Sequence, residues 1–313
     1  MDLQANPEAQ DADQERLQAS LAQDRRAVLV VNTKSGRGLR LYQEAKNELQ
    51  RAGFDITAYP VRDPARLPEV VTEAIAQGSR FIIVGGGDGT VSAVAGSLAH
   101  RNVALGLLPL GTANNFARGN DIPLAIRPAV AVLAAGHVAT VDLGRINESY
   151  FTNAVSIGLS SALHRSGPER MKKRFGRAGY LLAAAQRFAA HTSFRCRLAH
   201  DGQTKEVEAL DLRVANGPFY GSLRAIGRAD LHSGQLVVRI IKGSSKWTLG
   251  RVWAGVLMNE RIDPDCVETF NVREVEIDVT PQQFVSVDGE VVTQTPIRIA
   301  AAPRALHLVV PRP

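Results

Sequence analysis

One carboxylate, Asp88, stands among four glycines in the run Gly85-Gly86-Gly87-Asp88-Gly89-Thr90. Glycine lacks a Cβ, so main-chain N–H groups can close on an anion, and a helix that starts at such a loop turns its positive end toward the same point. The run therefore reads as a phosphate cradle. A bare carboxylate inside it would repel phosphate unless a divalent cation or a proton-donating hydroxyl came between them, so Asp88 points to chemistry beyond binding. The same residues would also serve a tight strand-to-helix turn with Asp88 as the helix N-cap.

Three further clusters carry polar groups at useful spacings. Asn32-Thr33-Lys34-Ser35-Gly36-Arg37-Gly38 offers an amide, a hydroxyl, glycines and two bases, the equipment of a second phosphate loop or of an ordinary Ser-Gly turn. In Gly111-Thr112-Ala113-Asn114-Asn115-Phe116-Ala117-Arg118, hydroxyl, amide and guanidinium groups fall within one helical turn and can converge on a polyanion. A helix start capped by Thr112 would need only one of them. Asp288-Gly289-Glu290 follows an apolar run, and two acids flanking a glycine suit either an active-site turn or a surface hairpin. Asp142, before Leu143-Gly144, is either a ligand-facing acid or a solvated turn residue.

The elements that must position these residues are legible as alternation. Apolar runs at Ala27–Val31, Phe54–Tyr59, Phe81–Val84 and Val103–Leu108 read as strands. Helical patterns run through Leu41, Ala45 and Leu49, over Pro64–Gln77, from the Asp88 loop to His100, and over Pro128–Ala135. Strand and helix in alternation predict a parallel sheet with helices on both faces, and such sheets bind ligands beyond the carboxyl ends of their strands, where all these glycine loops lie. From Phe151 onward the texture becomes strand-like, at Tyr150–Ile157, Phe194–Leu198, Glu206–Asn216, Gly234–Ile241, Val272–Val279 and Phe284–Val287. A β-rich second domain of two packed sheets is expected. Its exception is Pro168–His191, where five bases precede an apolar helical pattern; this is either a helix lying on an anionic membrane surface or a packed helix with a solvated basic end.

Composition narrows the class. A chain of 313 residues, 45% hydrophobic and 22% charged, has room for two globular domains. No apolar run reaches bilayer length, and Met1–Asp24 lacks the basic start and apolar centre of a signal peptide, so a cytoplasmic protein with a disordered or loosely helical leader over 1–24 is expected. That leader carries six acids and one base, Arg16, so with a net charge of +6 the rest of the chain stands at about +11. A basic body suits nucleotide or anionic lipid. Nucleic acid is not expected, because aromatic residues make up 5% of the chain and no groove-binding motif occurs. Cys196 and Cys266 sit in no metal spacing and read as buried thiols.

With these motifs in order along the chain, the sequence resembles the lipid kinases related to diacylglycerol kinase and sphingosine kinase. Gly85–Thr90 matches that family's Gly-Gly-Asp-Gly-Thr motif, Gly111–Arg118 is similar to its Gly-Thr-x-Asn-Asp-Phe-Ala-Arg motif, and Asn32–Gly38 to its Asn-Pro-x-Ser-Gly loop. Thr33 replaces the usual proline, and Asn115 replaces an aspartate that many bacterial members carry. The resemblance implies an α/β N-terminal domain of phosphofructokinase and NAD kinase type over 25–141, rejoined by 303–313, with a β-rich sandwich domain over 142–302. It implies ATP and Mg²⁺ as cofactors and a lipid hydroxyl as acceptor; peripheral contact at the inner membrane face is what the first of the two readings of Pro168–His191 would give. Nucleotide would be held by Asn32, Ser35, Gly36, Gly85, Gly86, Gly87, Gly89, Thr90, Thr112, Asn114 and Arg118. Asp88 and Glu290 would be catalytic, Glu290 accepting the substrate proton, and Asp142 would lie near the lipid headgroup. In Asp230-Leu231-His232-Ser233-Gly234, Ser233 occupies the place of an acid that in the family helps bind a structural magnesium, so that metal is not expected here. A kinase of a soluble alcohol and a non-catalytic binding relative are the alternatives; the sequence decides neither the lipid nor the oligomeric state.

Overall fold

The computed structural model describes residues 7–33, 36–159, 161, 191–219, 229–258 and 265–312. The parallel unit forms where the apolar runs predict it. Strands β1 (Arg26–Asn32), β2 (Asp55–Val61), β3 (Phe81–Gly86) and β4 (Ala104–Pro109) alternate with helices α2 (Gly36–Arg51), α3 (Leu67–Ala76) and α4 (Asp88–Leu98), and short α5 (Asn115–Gly119) and α6 (Ile126–Ala135) follow. They pair in the order β2-β1-β3-β4, all parallel. β1, β3 and β4 are buried almost end to end, as expected of strands covered on both faces. Val28, Val30, Ile82 and Val84 face Leu67, Val71, Val94 and Leu98 of α3 and α4. Leu29, Val31 and Ile83 face Ala45, Leu49, Ala129 and Leu133 of α2 and α6. Strand alternation thus divides one sheet between two helical layers.

Beyond α6 lie β5 (Val138–Ile146), β6 (Ser149–Phe151), β7 (Ala154–Gly158), β8 (Phe194–His200), β9 (Gln203–Ala215) and β10 (Leu236–Lys242). A helix, α7 (Lys246–Met258), precedes β11 (Val267–Val272), β12 (Glu274–Thr280), β13 (Phe284–Val287), β14 (Glu290–Gln294) and β15 (Ile297–Val309). Hydrogen bonding runs β14-β13-β7-β9-β8-β12-β15 and on into the parallel unit, with β10–β11 attached at β9 and β5–β6 at β15. This half folds over a large apolar core that includes Phe151, Val155, Phe194, Leu212, Val238, Ile277 and Ile299, with a smaller cluster around Leu210, Leu249 and Val252, giving the β-rich sandwich. Cys196 lies in this core, fully buried, and burial pushes its thiol up to about 12. Cys266 is half-buried.

One long ribbon joins the halves. β15 runs antiparallel to β5 from Ile299↔Ile146 to Val309↔Val138, and its last turn of chain lies parallel to β4 at His307↔Ala104. The register slips between Ala302 and Leu306, where Arg304 takes a positive φ of 50°. Such a bulge bends a strand and leaves a backbone N–H to be satisfied. Asp142 on β5 satisfies it, as described below.

The leader differs from expectation. Pro7–Gln23 is a packed helix, α1, whose Leu17 and Leu21 are buried. Its glutamines complete the outer edge of β5: Gln14 Nε2 donates to the Val138 carbonyl at 2.9 Å, and the Val138 N–H donates to Gln18 Oε1 at 2.7 Å. Two leucines one turn apart give too narrow an apolar stripe to predict packing from sequence, but an edge strand needs polar partners more than apolar ones. Most of the basic segment Pro168–His191 lies outside the described residues. No helix among the described residues is long and apolar enough to cross a membrane.

Candidate active site

The glycine loops meet at the carboxyl edge of the parallel strands. Gly85 and Gly86 end β3, Gly87 caps α4, and Asp88 is the first residue of that helix, a favourable place for a carboxylate. Thr90 folds back over Gly86 so tightly that a Cβ there would lie 2.4 Å from the Thr90 Cβ. Asn32, at the end of β1, reaches Thr90 Oγ1 through its Nδ2 at 3.4 Å. Gly111 lies against Gly87, and the Leu110 N–H donates to the Gly86 carbonyl at 2.8 Å. Much of the glycine requirement therefore comes from two loops packing backbone on backbone. Gly89 is exposed toward the second domain.

Within the Gly111–Arg118 segment the polar side chains shape the loop. Asn114, in the left-handed region at φ 51°, accepts from the Gly111 N–H at 3.0 Å and donates to the Gly111 carbonyl at 3.1 Å. Arg118 Nε donates to the Ala113 carbonyl at 2.9 Å. Thr112 is exposed and does not cap α5; Asn114 occupies the N-cap position. Gly36 opens α2, and Ser35 lies outside the described residues.

Asp88 ties the two loops together. Its Oδ1 accepts the Phe116 N–H at 3.0 Å, joining the starts of α4 and α5. The same oxygen meets Asn153 Nδ2 at 3.4 Å, across the boundary between the domains. Among the described residues Oδ2 accepts no hydrogen bond, which leaves it for a ligand.

The second domain presents a built turn. β13 and β14 form a hairpin whose two loop residues, Asp288 at φ 47° and Gly289 at φ 93°, both take positive φ, the geometry for which Asp-Gly is favoured. Asp288 does not face the nucleotide loops. Oδ2 accepts from the N–H and hydroxyl of Thr152, at 2.7 and 2.9 Å, and Oδ1 from the N–H groups of Asn153 and Ala154, at 2.8 and 2.9 Å. It is the anchor of the hairpin, and Glu290 is the acid the hairpin presents. Glu290 is exposed, and its Oε1 lies 3.7 Å from where a Cβ on Gly89 would stand. Beside it a cleft of about 280 Å³ runs between α4 and the hairpin, lined by Ser92, Ala93, Tyr150, Val287 and Val292 among others. Site and cleft thus combine elements from both domains.

Asp142 stands apart from this cluster. It is 2% exposed, Oδ1 accepts the Arg304 N–H at 2.8 Å, and Oδ2 accepts the Gly234 N–H at 2.6 Å. Each of its oxygens holds a backbone N–H, so it acts as a staple of the domain junction. Burial pushes its carboxyl above the ordinary aspartate range, against the two N–H donors that favour the ionised form.

The turn Asp230–Gln235 is closed by its own side chains. The Ser233 hydroxyl bridges the carbonyls of Asp230 and Gln235, at 2.9 and 3.2 Å, and Asp230 Oδ1 accepts the His232 N–H at 3.0 Å. These bonds engage both carbonyls and one oxygen of the Asp230 carboxylate, and Ser233 adds a neutral hydroxyl where a carboxylate would be needed. No group of three or more His, Cys, Asp or Glu residues fit for a metal occurs among the described residues. At the loop edge the chemistry would fit a divalent cation better, because Asp88 uses Oδ1 on Phe116 and Asn153 and keeps its second oxygen open among the described residues.

Thr152 and Asn153 were not singled out by the sequence. They form the corner that splits Tyr150–Ile157 into β6 and β7. Asn216, fully buried, donates from Nδ2 to the carbonyls of Asp142 and Thr152, both at 2.9 Å. The signal was available: Thr-Asn inside an otherwise apolar strand, and Asn-Gly at the end of another, are polar residues where a buried strand should have none.

Comparison with known proteins agrees with this geometry. Residues 26–146 match the diacylglycerol kinase catalytic domain, and residues 153–310 match the YegS C-terminal NAD kinase beta sandwich-like domain. A diacylglycerol kinase of Staphylococcus carnosus is 26% identical, covering 92% of this chain and 96% of that one. A protein of Pseudomonas aeruginosa named probable lipid kinase YegS-like is 31% identical over 84% of this chain and 87% of its own. A crystal structure from Bacillus anthracis superposes with a TM-score of 0.78 at 25% identity, covering 92% of this chain and 95% of that one. The two glycine loops, the Asp-Gly hairpin and the sandwich that carries it are the parts these matches span, and the chain belongs to the diacylglycerol kinase and YegS-like family of lipid kinases.

Proposed function

We propose that this protein transfers the γ-phosphoryl group of ATP to a hydroxyl of a membrane lipid such as diacylglycerol or a sphingoid base. The observation that carries the reading is the placing of Glu290: an exposed carboxylate from the second domain stands over Gly89, at the positive end of α4, with the cleft beside it. A kinase needs positioning and charge neutralisation more than covalent chemistry, and the site supplies both. The nucleotide lies across the loops at Asn32, Gly85–Thr90 and Gly111–Asn114, where N–H groups and the start of α4 favour its phosphates. Asp88 would hold Mg²⁺ arriving with the triphosphate, and the ion would supply charge neutralisation there. The lipid hydroxyl enters from the cleft, Glu290 accepts its proton as the oxygen attacks the γ-phosphorus, and ADP leaves with the bridging oxygen. Arg118 and Asn114 support this by holding the second loop in shape.

The acceptor is a lipid because the cleft mixes apolar lining, Ala93, Tyr150, Val287 and Val292, with the hydroxyl of Ser92. Such a substrate would be met at an anionic membrane surface, to which a basic chain is drawn. The test is transfer of labelled phosphate from Mg·ATP into a total lipid extract, by wild type, Glu290→Ala and Asp88→Asn. A labelled lipid made by wild type and by neither variant supports the reading and identifies the acceptor. Label appearing only in a soluble alcohol, or ATP binding without transfer, overturns it.

A further inference from the structure

We infer that Asn153 is a positioning residue that couples the two domains at the reaction centre, holding Asp88 of the nucleotide side in register with the hairpin that carries Glu290. The inference rests on the kinase reading above.

Asn153 is the place where the two acidic stations touch one residue. Its main-chain N–H donates to Asp288 Oδ1 at 2.8 Å, and its Nδ2 reaches Asp88 Oδ1 at 3.4 Å and Thr152 Oγ1 at 2.9 Å. Its carbonyl accepts from the N–H groups of Asn216 and Gly217, at 2.8 and 3.2 Å, so the backbone of the corner is fixed on both sides. The side chain is 6% exposed. An amide at that depth is retained where its hydrogen bonds are needed, because burying it otherwise costs free energy.

The chemistry explains why an amide suits the position. Asp88 and Asp288 are both carboxylates, and a third acid between them would add like charge at a phosphate site. An apolar residue would leave Asp88 fixed only by the Phe116 N–H. Asn153 donates to both acids and brings no charge. It also constrains geometry: rotation of the sandwich relative to the parallel unit would stretch the Asp88 contact while leaving the Asp288 contact intact. At 3.4 Å that contact is long, as hydrogen bonds at catalytic centres often are before substrate closes the site. The residue does not touch the reacting atoms; it acts through Asp88 and the hairpin.

The test is a double-mutant cycle on the full chain, with Mg·ATP binding measured by calorimetry for wild type, Asn153→Ala, Asp88→Asn and the pair. Asn153→Ala is expected to weaken Mg·ATP binding and raise its half-saturating concentration by roughly tenfold, while the half-saturating lipid concentration stays unchanged. The double variant is expected to bind no more weakly than Asp88→Asn alone. Fully additive losses, or equal shifts in both half-saturating concentrations with a fallen melting temperature, would assign Asn153 a purely structural role and overturn the inference. Asn153→Asp keeps the volume and the backbone bonds of the corner and sets a carboxylate against Asp88; it is expected to fold and to lose transfer, and full activity in it also overturns the inference. A wild type that binds Mg·ATP without phosphorylating lipid sinks the kinase reading and leaves the binding cycle to judge Asn153. A wild type that binds no Mg·ATP overturns both.

Discussion

Gly111 and Gly87 touch through their backbones: a Cβ built on Gly111 would lie 2.4 Å from the Gly87 Cα and 2.7 Å from Asn114 Oδ1. These residues are 24 positions apart, and each ends the strand-to-loop passage of a different βα unit. No non-bonded carbon approaches another at that distance, so one loop must move if Gly111 gains a side chain. The two loops therefore behave as one unit.

Gly111→Ala should for that reason separate the loops, destabilise the protein by about 2 kcal/mol and abolish Mg·ATP binding. Gly96→Ala is the comparison. Gly96 lies within α4, where a Cβ would meet only Tyr150 Cδ2 at 3.7 Å, an ordinary contact. Alanine there should raise stability by up to about 1 kcal/mol, since glycine is the poorer helix former. Urea melts and calorimetry on the two variants separate a steric cause from a general intolerance of α4 and its loops. Equal behaviour of the two would mean that close approach is not the reason for Gly111.

Asp288 and Glu290 are two residues apart and should fail in different ways. Glu290 is exposed, and Glu290→Gln should leave the melting temperature unchanged while transfer falls by about 10²-fold to 10⁴-fold, the range of a lost general base. Asp288 accepts four hydrogen bonds from Thr152, Asn153 and Ala154. Asp288→Ala should cost on the order of 3 kcal/mol by leaving those donors unpaired, and should lose activity because the hairpin is no longer held. A melt with Glu290→Gln as destabilised as Asp288→Ala would show that Glu290 has a structural task instead.

Asp142 predicts a pH-dependent stability difference. Asp142→Ala removes the acceptor of the Arg304 and Gly234 N–H groups, both at the junction of the domains, and should destabilise by about 2 to 4 kcal/mol. Asp142→Asn keeps one acceptor and does not titrate. Burial raises the folded-state pKa of Asp142 above its unfolded value. Its linkage contribution is then fully present below the unfolded value of about 3.9 and is lost as pH rises through the folded value. The stability gap between wild type and Asp142→Asn should accordingly narrow from acid toward neutral pH. A gap that widens over that range would place the backbone hydrogen bonds above desolvation as the governing influence.

The parallel unit was legible because its signals are local. Buried strands such as Phe81–Gly86 are apolar runs, and the loops that follow are glycine-rich because strand, turn and helix start must share little space. The tertiary joins were not legible. Asp142 reads as either a ligand-facing acid or a turn acid, and only the bulge at Arg304, 162 residues away, shows the backbone N–H it satisfies. The same holds for α1, whose glutamines are unremarkable until the unpaired edge of β5 is in view, and for α7, an apolar helix among strands where the sequence reading placed no element. Asn114 illustrates the reverse case. Its type suggested a ligand contact, and the structure uses both ends of its amide on Gly111. Residue type announces what a side chain can bond, and the fold decides with whom.

His307 gives the last prediction, a loss of stability on mild acidification. It is 8% exposed on β15, and burial lowers its pKa below the ordinary 6.5; nearby Arg304 adds to the lowering, while Asp13 of α1 opposes it. A base whose folded-state pKa is depressed stabilises the fold in full above its unfolded pKa, and that contribution is lost as pH falls through the folded value. Wild type should therefore lose stability between about pH 6.5 and about pH 5 by more than His307→Gln does, since glutamine fills a similar space without titrating. His100, lowered mainly by burial with help from Arg145, titrates in both proteins and cancels in the difference. Urea melts of the pair across that range measure the His307 contribution alone. Parallel curves would show that the imidazole charges without cost, which requires α1 to move far enough for water to reach it; amide hydrogen exchange in Glu15–Gln23 at the lower pH would then have to rise as well.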